Sequence, residues 1–184
     1  MRTRTSHGSV TFNIDKLDKG VKELKQGYRT RVGIIGQSAT RQQISEGNEG
    51  LTNAQIGATH EFGSVAQKIP QRSFLRAPLH KKKAQIQKAG KKVIEIFKGK
   101  PIVDAYKALG SEALNIIDGA FTSRGYGEWP QTKDRTIESK ASRLSGKKQR
   151  EFKGMSQKEK RRAFQPLIDS GQLRKSIDYE VKGK

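Results

Sequence analysis

His60 and Glu61 stand side by side in the run Asn53-Ala-Gln-Ile-Gly-Ala-Thr-His-Glu-Phe-Gly63. They form the first half of His-Glu-x-x-His, the helical pattern in which two histidines hold zinc and the glutamate serves as general base. The second histidine must follow one helical turn later to reach the same metal, and position 64 is Ser. His7 and His80 are the only other histidines, so the pair points to a hydrogen-bonded turn or a contact with a neighbouring subunit, not to a zinc hydrolase. Ser145 and Lys148 have the Ser-x-x-Lys spacing of a nucleophile and its base. Such a pair must be held rigidly, and this one lies in a glycine-broken, highly charged stretch. Gly33, Gly36, Gly125 and Gly127 show neither the Walker spacing nor the strand, glycine loop and helix that cradle a phosphate. No catalytic residue, cofactor or metal site is assigned, and the chain is expected not to be an enzyme.

Phosphate binding by plain charge is open to residues 147–162, where eight Lys or Arg face two Glu for a net +6. Lys147, Lys148, Arg150, Arg161 and Arg162 would meet phosphates there, with Tyr126, Trp129 or Phe152 available to stack on bases. The blander reading is a solvated loop that confers solubility. No RNA-recognition motif, zinc finger or recognition helix accompanies the charge.

Periodicity indicates the elements that must carry these residues. Val10, Phe12 and Ile14 alternate with polar neighbours as in a half-buried strand, and Asp15 can cap a short helix bearing Leu17, Val21 and Leu24. Arg29 to Gly36 reads as a second strand and residues 37–52 as a loop. Asn53 is placed to cap a short helix that Gly63 ends, after which the chain runs extended to Pro70. A long helix starts near Ser73 and carries Leu75, Leu79, Ile86, Val93 and Phe97, with Pro78 in its first turn. Gly99 and Pro101 mark an αα-hairpin whose second helix places Ile102, Tyr106, Leu109, Ala113, Ile116 or Ile117, and Ala120 at helical spacing. The two helices are expected to cover one face of the sheet. Residues 123–165 are expected to form an exposed basic loop or arm, or a helix ordered by a partner. Asp169 or Ser170 then caps a turn containing Leu173, and Ile177, Tyr179 and Val181 alternate as a final strand.

The expected fold is therefore α+β: a small, mainly antiparallel sheet packed by two longer helices, in a single domain over 1–184 with a basic insertion at about 123–165. Composition sets the bounds. Hydrophobic residues make up 32%, so part of the chain stays outside the core. A net charge of +20 favours an anionic partner, and the absence of Cys excludes disulfides and thiolate chemistry. Neither a secretory h-region nor an apolar run of membrane-spanning length occurs, which suggests a soluble intracellular product.

The block NAQIGATHEFGSVAQKIPQRSFLRAPL at 53–79, read with PLIDSGQLRKSIDYEV at 166–181, resembles the signature segments of the tail-completion and virion-morphogenesis proteins of tailed bacteriophages. In that family an Asn-Ala-x-Ile-Gly-x-x-His-Glu-Phe-Gly run leads into Ile-Pro-x-Arg-x-Phe-Leu. A Trp-Pro pair followed by Thr and Lys then precedes Pro-Leu-Ile-x-(Ser/Thr)-Gly-x-Leu-x-x-Ser-Ile. Trp129, Pro130, Thr132 or Thr136, and Lys140 match the former here, and Pro166, Leu167, Ile168, Ser170, Gly171, Leu173, Ser176 and Ile177 the latter. The basic stretch between Lys140 and Pro166 departs from the family's shortest members, so nothing about it is inherited.

The resemblance implies a structural virion protein, assembled in the host cytoplasm, that forms a ring at the head-proximal end of the tail for tail completion and head-to-tail joining. Its partners would be further copies of itself, in a hexamer, together with neck, connector and tail-tube proteins. Non-specific contact with packaged DNA is also expected, and no membrane is involved. The assembly candidates are His60, Glu61, Phe62, Arg72, Phe74 and Trp129, with the five basic residues above. The competing reading is a stand-alone basic nucleic-acid-binding protein.

Overall fold

A computed structural model describes residues 14–39, 50–98, 100–164, 166–168 and 171–183. Its longest element, α5 (Ile102–Thr122), is set by the clearest pattern in the sequence. Ile102, Ala105, Ala113, Ile116, Ile117 and Phe121 recur at helical spacing and are buried along one face. Pro101 is the residue just before the helix, where its missing N–H costs nothing, and the Ile102 N–H is accepted by the Glu23 carboxylate at 3.0 Å. Glu23 belongs to α1 (Ile14–Gln26), which is thereby tied to the start of α5.

Two strands, β1 (Tyr28–Ile34) and β2 (Ile177–Gly183), pair antiparallel from Tyr28↔Gly183 to Ile34↔Ile177. Helix α5 lies against both. Thr30 Oγ1 donates to the Tyr106 carbonyl at 2.9 Å, and the Tyr28 and Tyr106 rings meet at 5.7 Å. Gly110 lets the helix approach the sheet, since a Cβ there would overlap the Tyr179 ring. The α+β architecture is as the sequence indicated, a two-stranded antiparallel sheet packed against helices.

Several elements differ from expectation in detail. The span 73–97 is not one helix but α3 (Arg76–Lys81), α4 (Lys83–Gly90) and a 3-10 stretch (Lys91–Lys98). The break falls at Lys82 (φ −102°, ψ 24°), where Lys81 is drawn to Glu128 and the Lys82 ammonium sits 4.9 Å from the centre of the Tyr126 ring. The tightening follows Gly90, a residue that weakens a helix interior by about 1 kcal/mol relative to Ala. Both α3 and α4 lie against α5, so α5 is the principal cover of the sheet. Ile14 opens α1 instead of ending a strand, and Asp15 lies within the first turn. Gly36–Ala39 form a 3-10 turn. The strand residues Val10 and Phe12, most of the loop at 37–52, Gly99, and the caps at Asp169 and Ser170 lie outside the described residues.

The basic segment takes a folded form. It contains α6 (Asp134–Ala141), α7 (Gly146–Gly154) and α8 (Gln157–Ala163), which enclose a small core of Ile137, Ala141 and Phe152 with Leu144, Met155 and Phe164 against it. The apolar residues that looked like interruptions in a polar arm are the contacts that fold it. Phe152 and Phe164 meet edge to face at 5.3 Å, and Ser156 with Glu159 builds a capping box at the start of α8. The last helical turn, α9 (Gln172–Lys175), follows Gly171 in the left-handed region (φ 74°). Among the described residues no helix is long and apolar enough to cross a membrane.

Candidate functional site

Helix α2 (Asn53–Phe62) carries the His-Glu pair. Its cap is Thr52, not Asn53: Thr52 Oγ1 accepts from the Gln55 N–H at 3.1 Å, and Gln55 Oε1 accepts from the Thr52 N–H at 2.8 Å. Asn53 is instead buried in the first helical position. Gly63 ends the helix at φ 78°, where the left-handed backbone favours glycine. The chain then makes a tight hairpin instead of running straight to Pro70. Ser64 and Ile69 exchange both backbone hydrogen bonds, and Lys68 turns the corner at φ 53°.

The Glu61 side chain is 5% exposed and points back into this hairpin's base. One carboxylate oxygen accepts from the Ser73 hydroxyl at 2.7 Å, the Arg76 N–H at 3.1 Å and Arg76 Nε at 3.3 Å. The other accepts from the N–H groups of Phe74 at 2.8 Å and Leu75 at 2.9 Å. Glu61 thus serves as a remote N-terminal cap for α3, satisfying donors that have no partner within the helix. Burial by itself would raise the carboxyl's pKa. The Ser73 hydroxyl and the N–H groups of Leu75, Arg76 and Phe74 outweigh it and hold Glu61 below the ordinary carboxylate range.

Arg72 closes the next contact. Its N–H donates to the His60 carbonyl at 2.8 Å, while its guanidinium donates to the carbonyls of Pro130 at 3.1 Å and Gln131 at 3.2 Å. The neighbouring Trp129 Nε1 donates to the Ser73 carbonyl at 3.0 Å, and its ring stands edge-on to Phe121 at 5.6 Å. Phe74 is fully buried, with its ring 5.4 Å from that of Phe121. Burying a side chain of this size stabilises the fold by about 1.5–3 kcal/mol. Leu173, from the late motif, joins the same core. A Cβ on Gly57 would overlap the Ile34 side chain of the same core, which is the close approach that glycine permits. Three motif blocks far apart in sequence thus meet around Glu61, Arg72 and Phe74.

His60 lies beside this clasp. Its Nδ1 is buried without a hydrogen-bond partner among the described residues. Burial, reinforced by the charges of Arg72 and Lys140, pushes its pKa down to about 4. The imidazole is neutral at physiological pH. No group of three His, Asp or Glu able to hold a metal occurs among the described residues.

These placements sort the sequence candidates. Glu61, Arg72, Phe74 and Trp129 face the interior and hold the monomer together, so the structure gives them no free subunit-facing surface. Phe62 does face outward at 62% exposure, with the Arg76 guanidinium 4.7 Å from its ring centre, and Val65 at the hairpin tip is 96% exposed. Arg161 is engaged within its own segment through Asp134 and Gln131. Lys147, Lys148, Arg150 and Arg162 are exposed. Ser145 precedes α7 and makes no hydrogen bond to Lys148, so no nucleophile and base are paired there. Ser73 was named from the sequence only as a helix start, and Lys140 only as a motif match; its ammonium donates to the Ile168 carbonyl at 3.0 Å and pins the late motif. No protein-family model, curated protein or solved structure matches the chain.

Proposed function

We propose that this chain is a structural virion protein of a tailed phage, forming a ring at the head-proximal end of the tail and acting in tail completion and head-to-tail joining. It works by shape and charge, without making or breaking a bond. One observation carries the reading: the motif block that resembles the phage family holds Glu61, Arg72 and Ser73 internally and leaves Phe62 and Val65 outside, beside the exposed Gln67 and Lys68. Glu61, Ser73 and Arg72 are engaged in holding the clasp, whereas Phe62 and Val65 stand in solvent on a turn fixed by the Ser64–Ile69 pairing. A projection that exposes two large apolar side chains with a polar rim, anchored on a packed core, suits a contact between copies or with a neck neighbour.

The test is a Phe62→Ser, Val65→Asp double variant. Both residues are exposed, so the variant should keep the monomer's Trp129 fluorescence and urea midpoint. It should lose the ring in native mass spectrometry, and infected cells should accumulate unjoined heads and tails. Unchanged ring assembly and head-tail joining would overturn the reading. A protein that binds DNA tightly at physiological salt and never enters a particle would instead be the stand-alone nucleic-acid binder.

A further inference from the structure

From Arg76 to Ile94 the chain carries seven Lys or Arg and no Asp or Glu. Some of these cations have internal roles: Arg76 meets Glu61, Lys81 meets Glu128, and Lys82 lies over Tyr126. Four do not. Lys83, Lys88, Lys91 and Lys92 are exposed and enter no hydrogen bond or ion pair with the described residues. Helix α4 and the 3-10 turn after it pack on α5, with Ala89 buried and Ile86 and Val93 half-buried. At helical spacing, Lys88 and Lys91 fall on the opposite side, with Lys83 and Lys92 on its two flanks.

This arrangement gives the chain nothing in return within the monomer. Lys88 and Lys92 are a like-charge pair one turn apart, which destabilises a helix. The basic segment singled out by sequence is different. There Asp134, Glu138, Glu151 and Glu159 are interspersed, and Arg161, Lys140 and Lys160 are engaged with Asp134, Ile168 and Phe152.

We infer that the outer face of α4 and the following turn, carrying Lys83, Lys88, Lys91 and Lys92, binds the phosphate backbone of nucleic acid without reading sequence. The face carries Ala84, Gln85 and Gln87 between the lysines, with no aromatic anchor and a single exposed aliphatic side chain, Ile94, at its far end. Protein interfaces are depleted in Lys and depend on such anchors, whereas phosphate contacts require only placed positive charges. Lys83 to Lys92 spans about 14 Å of helix, facing about eight duplex charges at ~1.7 Å each. This site is separate from the exposed hairpin and stands or falls independently of the ring reading.

The experiment compares two variants with the same charge removed, K83Q/K88Q/K91Q/K92Q and K147Q/K148Q/K153Q/K158Q. Anisotropy titrations of the full chain with a labelled random-sequence duplex are run across salt. The α4 variant should lower the slope of log Kd against log salt by about 3 and weaken low-salt binding by about tenfold or more, while the other variant changes the slope by less than about 1. An equal or larger loss in the second variant would overturn the inference, because net charge or the α7–α8 segment would then explain binding. Absence of duplex binding at low salt would also overturn it, as would tighter binding of polyglutamate than of duplex at equal salt, which marks an acidic protein partner. Circular dichroism and Trp129 fluorescence check folding. Should the fourfold variant misfold, K88Q/K91Q serves, with an expected slope change of about 2.

Discussion

Replacing Glu61 with Ala removes one carboxylate and five hydrogen bonds from the base of α3. The Phe74 N–H is buried, and those of Leu75 and Arg76 are part-buried. A buried donor left without a partner costs about 1–3 kcal/mol. Taking the middle of that range for Phe74 and the low end for the other two gives about 4 kcal/mol, within the 3–5 kcal/mol typical of breaking a buried charged network. Glu61→Gln keeps one oxygen but turns amide hydrogens toward two of the donors, and should cost about 2 kcal/mol. Urea unfolding followed at Trp129 is a direct assay. It is the chain's one tryptophan, and its Nε1 is bonded to the backbone of Ser73, whose hydroxyl Glu61 holds. With a slope of about 2 kcal/mol/M, the midpoint of Glu61→Ala should fall by about 2 M. A fall of under about 0.3 M at unchanged slope would refute the clasp. If stability held while ring formation disappeared, Glu61 would be a subunit contact after all.

His60 makes a pH-dependent contribution whose direction is fixed. Its folded pKa of about 4 lies below the ordinary 6.5, so the unfolded chain takes up the proton first as pH falls. Stability from the neutral imidazole is complete above about pH 6.5 and drains toward pH 4, by about 3 kcal/mol in all; His60→Gln should flatten that part of a urea-midpoint profile. Glu61, held low, loses its contribution only below the ordinary carboxylate range, so the two are separable. Arg72→Lys keeps the charge but cannot reach both the Pro130 and Gln131 carbonyls as a planar fork, and should cost about 1–2 kcal/mol by the same assay. Phe152→Ala should cost the α6–α8 segment about 3 kcal/mol and speed tryptic cleavage within 134–163. The Trp129 transition should move far less, because that ring belongs to the other core.

The α5 helix and both strands were legible because their patterns are dictated by burial over many residues. Ile102 to Phe121 repeats on one face, and Val32 and Tyr179 alternate with polar neighbours. The helix break at Lys82 was not legible, and the groups that meet the chain there, Glu128 and Tyr126, lie some 45 residues away. The folding of 134–163 was missed for a related reason. Ile137, Phe152 and Phe164 are too sparse to show a period, and only their meeting in space makes a core. At the clasp, the motif residues were identified but their direction was not. Glu61 looked like half of a chemical site, and five donors supplied by residues 73–76 turn it into a cap. The lysine face on α4 was hidden within an apparently ordinary amphipathic helix.

The sheet joins residues from opposite ends of the described chain: Arg31 of β1 meets Glu180 of β2 across a separation of 149 residues. At about 5–20 residues per second of synthesis, β1 waits about 7–30 s before its partner exists. No local contact can substitute for that pairing, and closing so long a loop makes the sheet a late and slow event in folding. Throughout the wait, β1 is an unpaired edge of the kind that recruits other nascent chains. Arg29 and Arg31 alternate on its exposed side and stay charged at every stage of synthesis. They repel a second copy of the same strand, so these residues guard the unfinished protein as well as decorating the finished one.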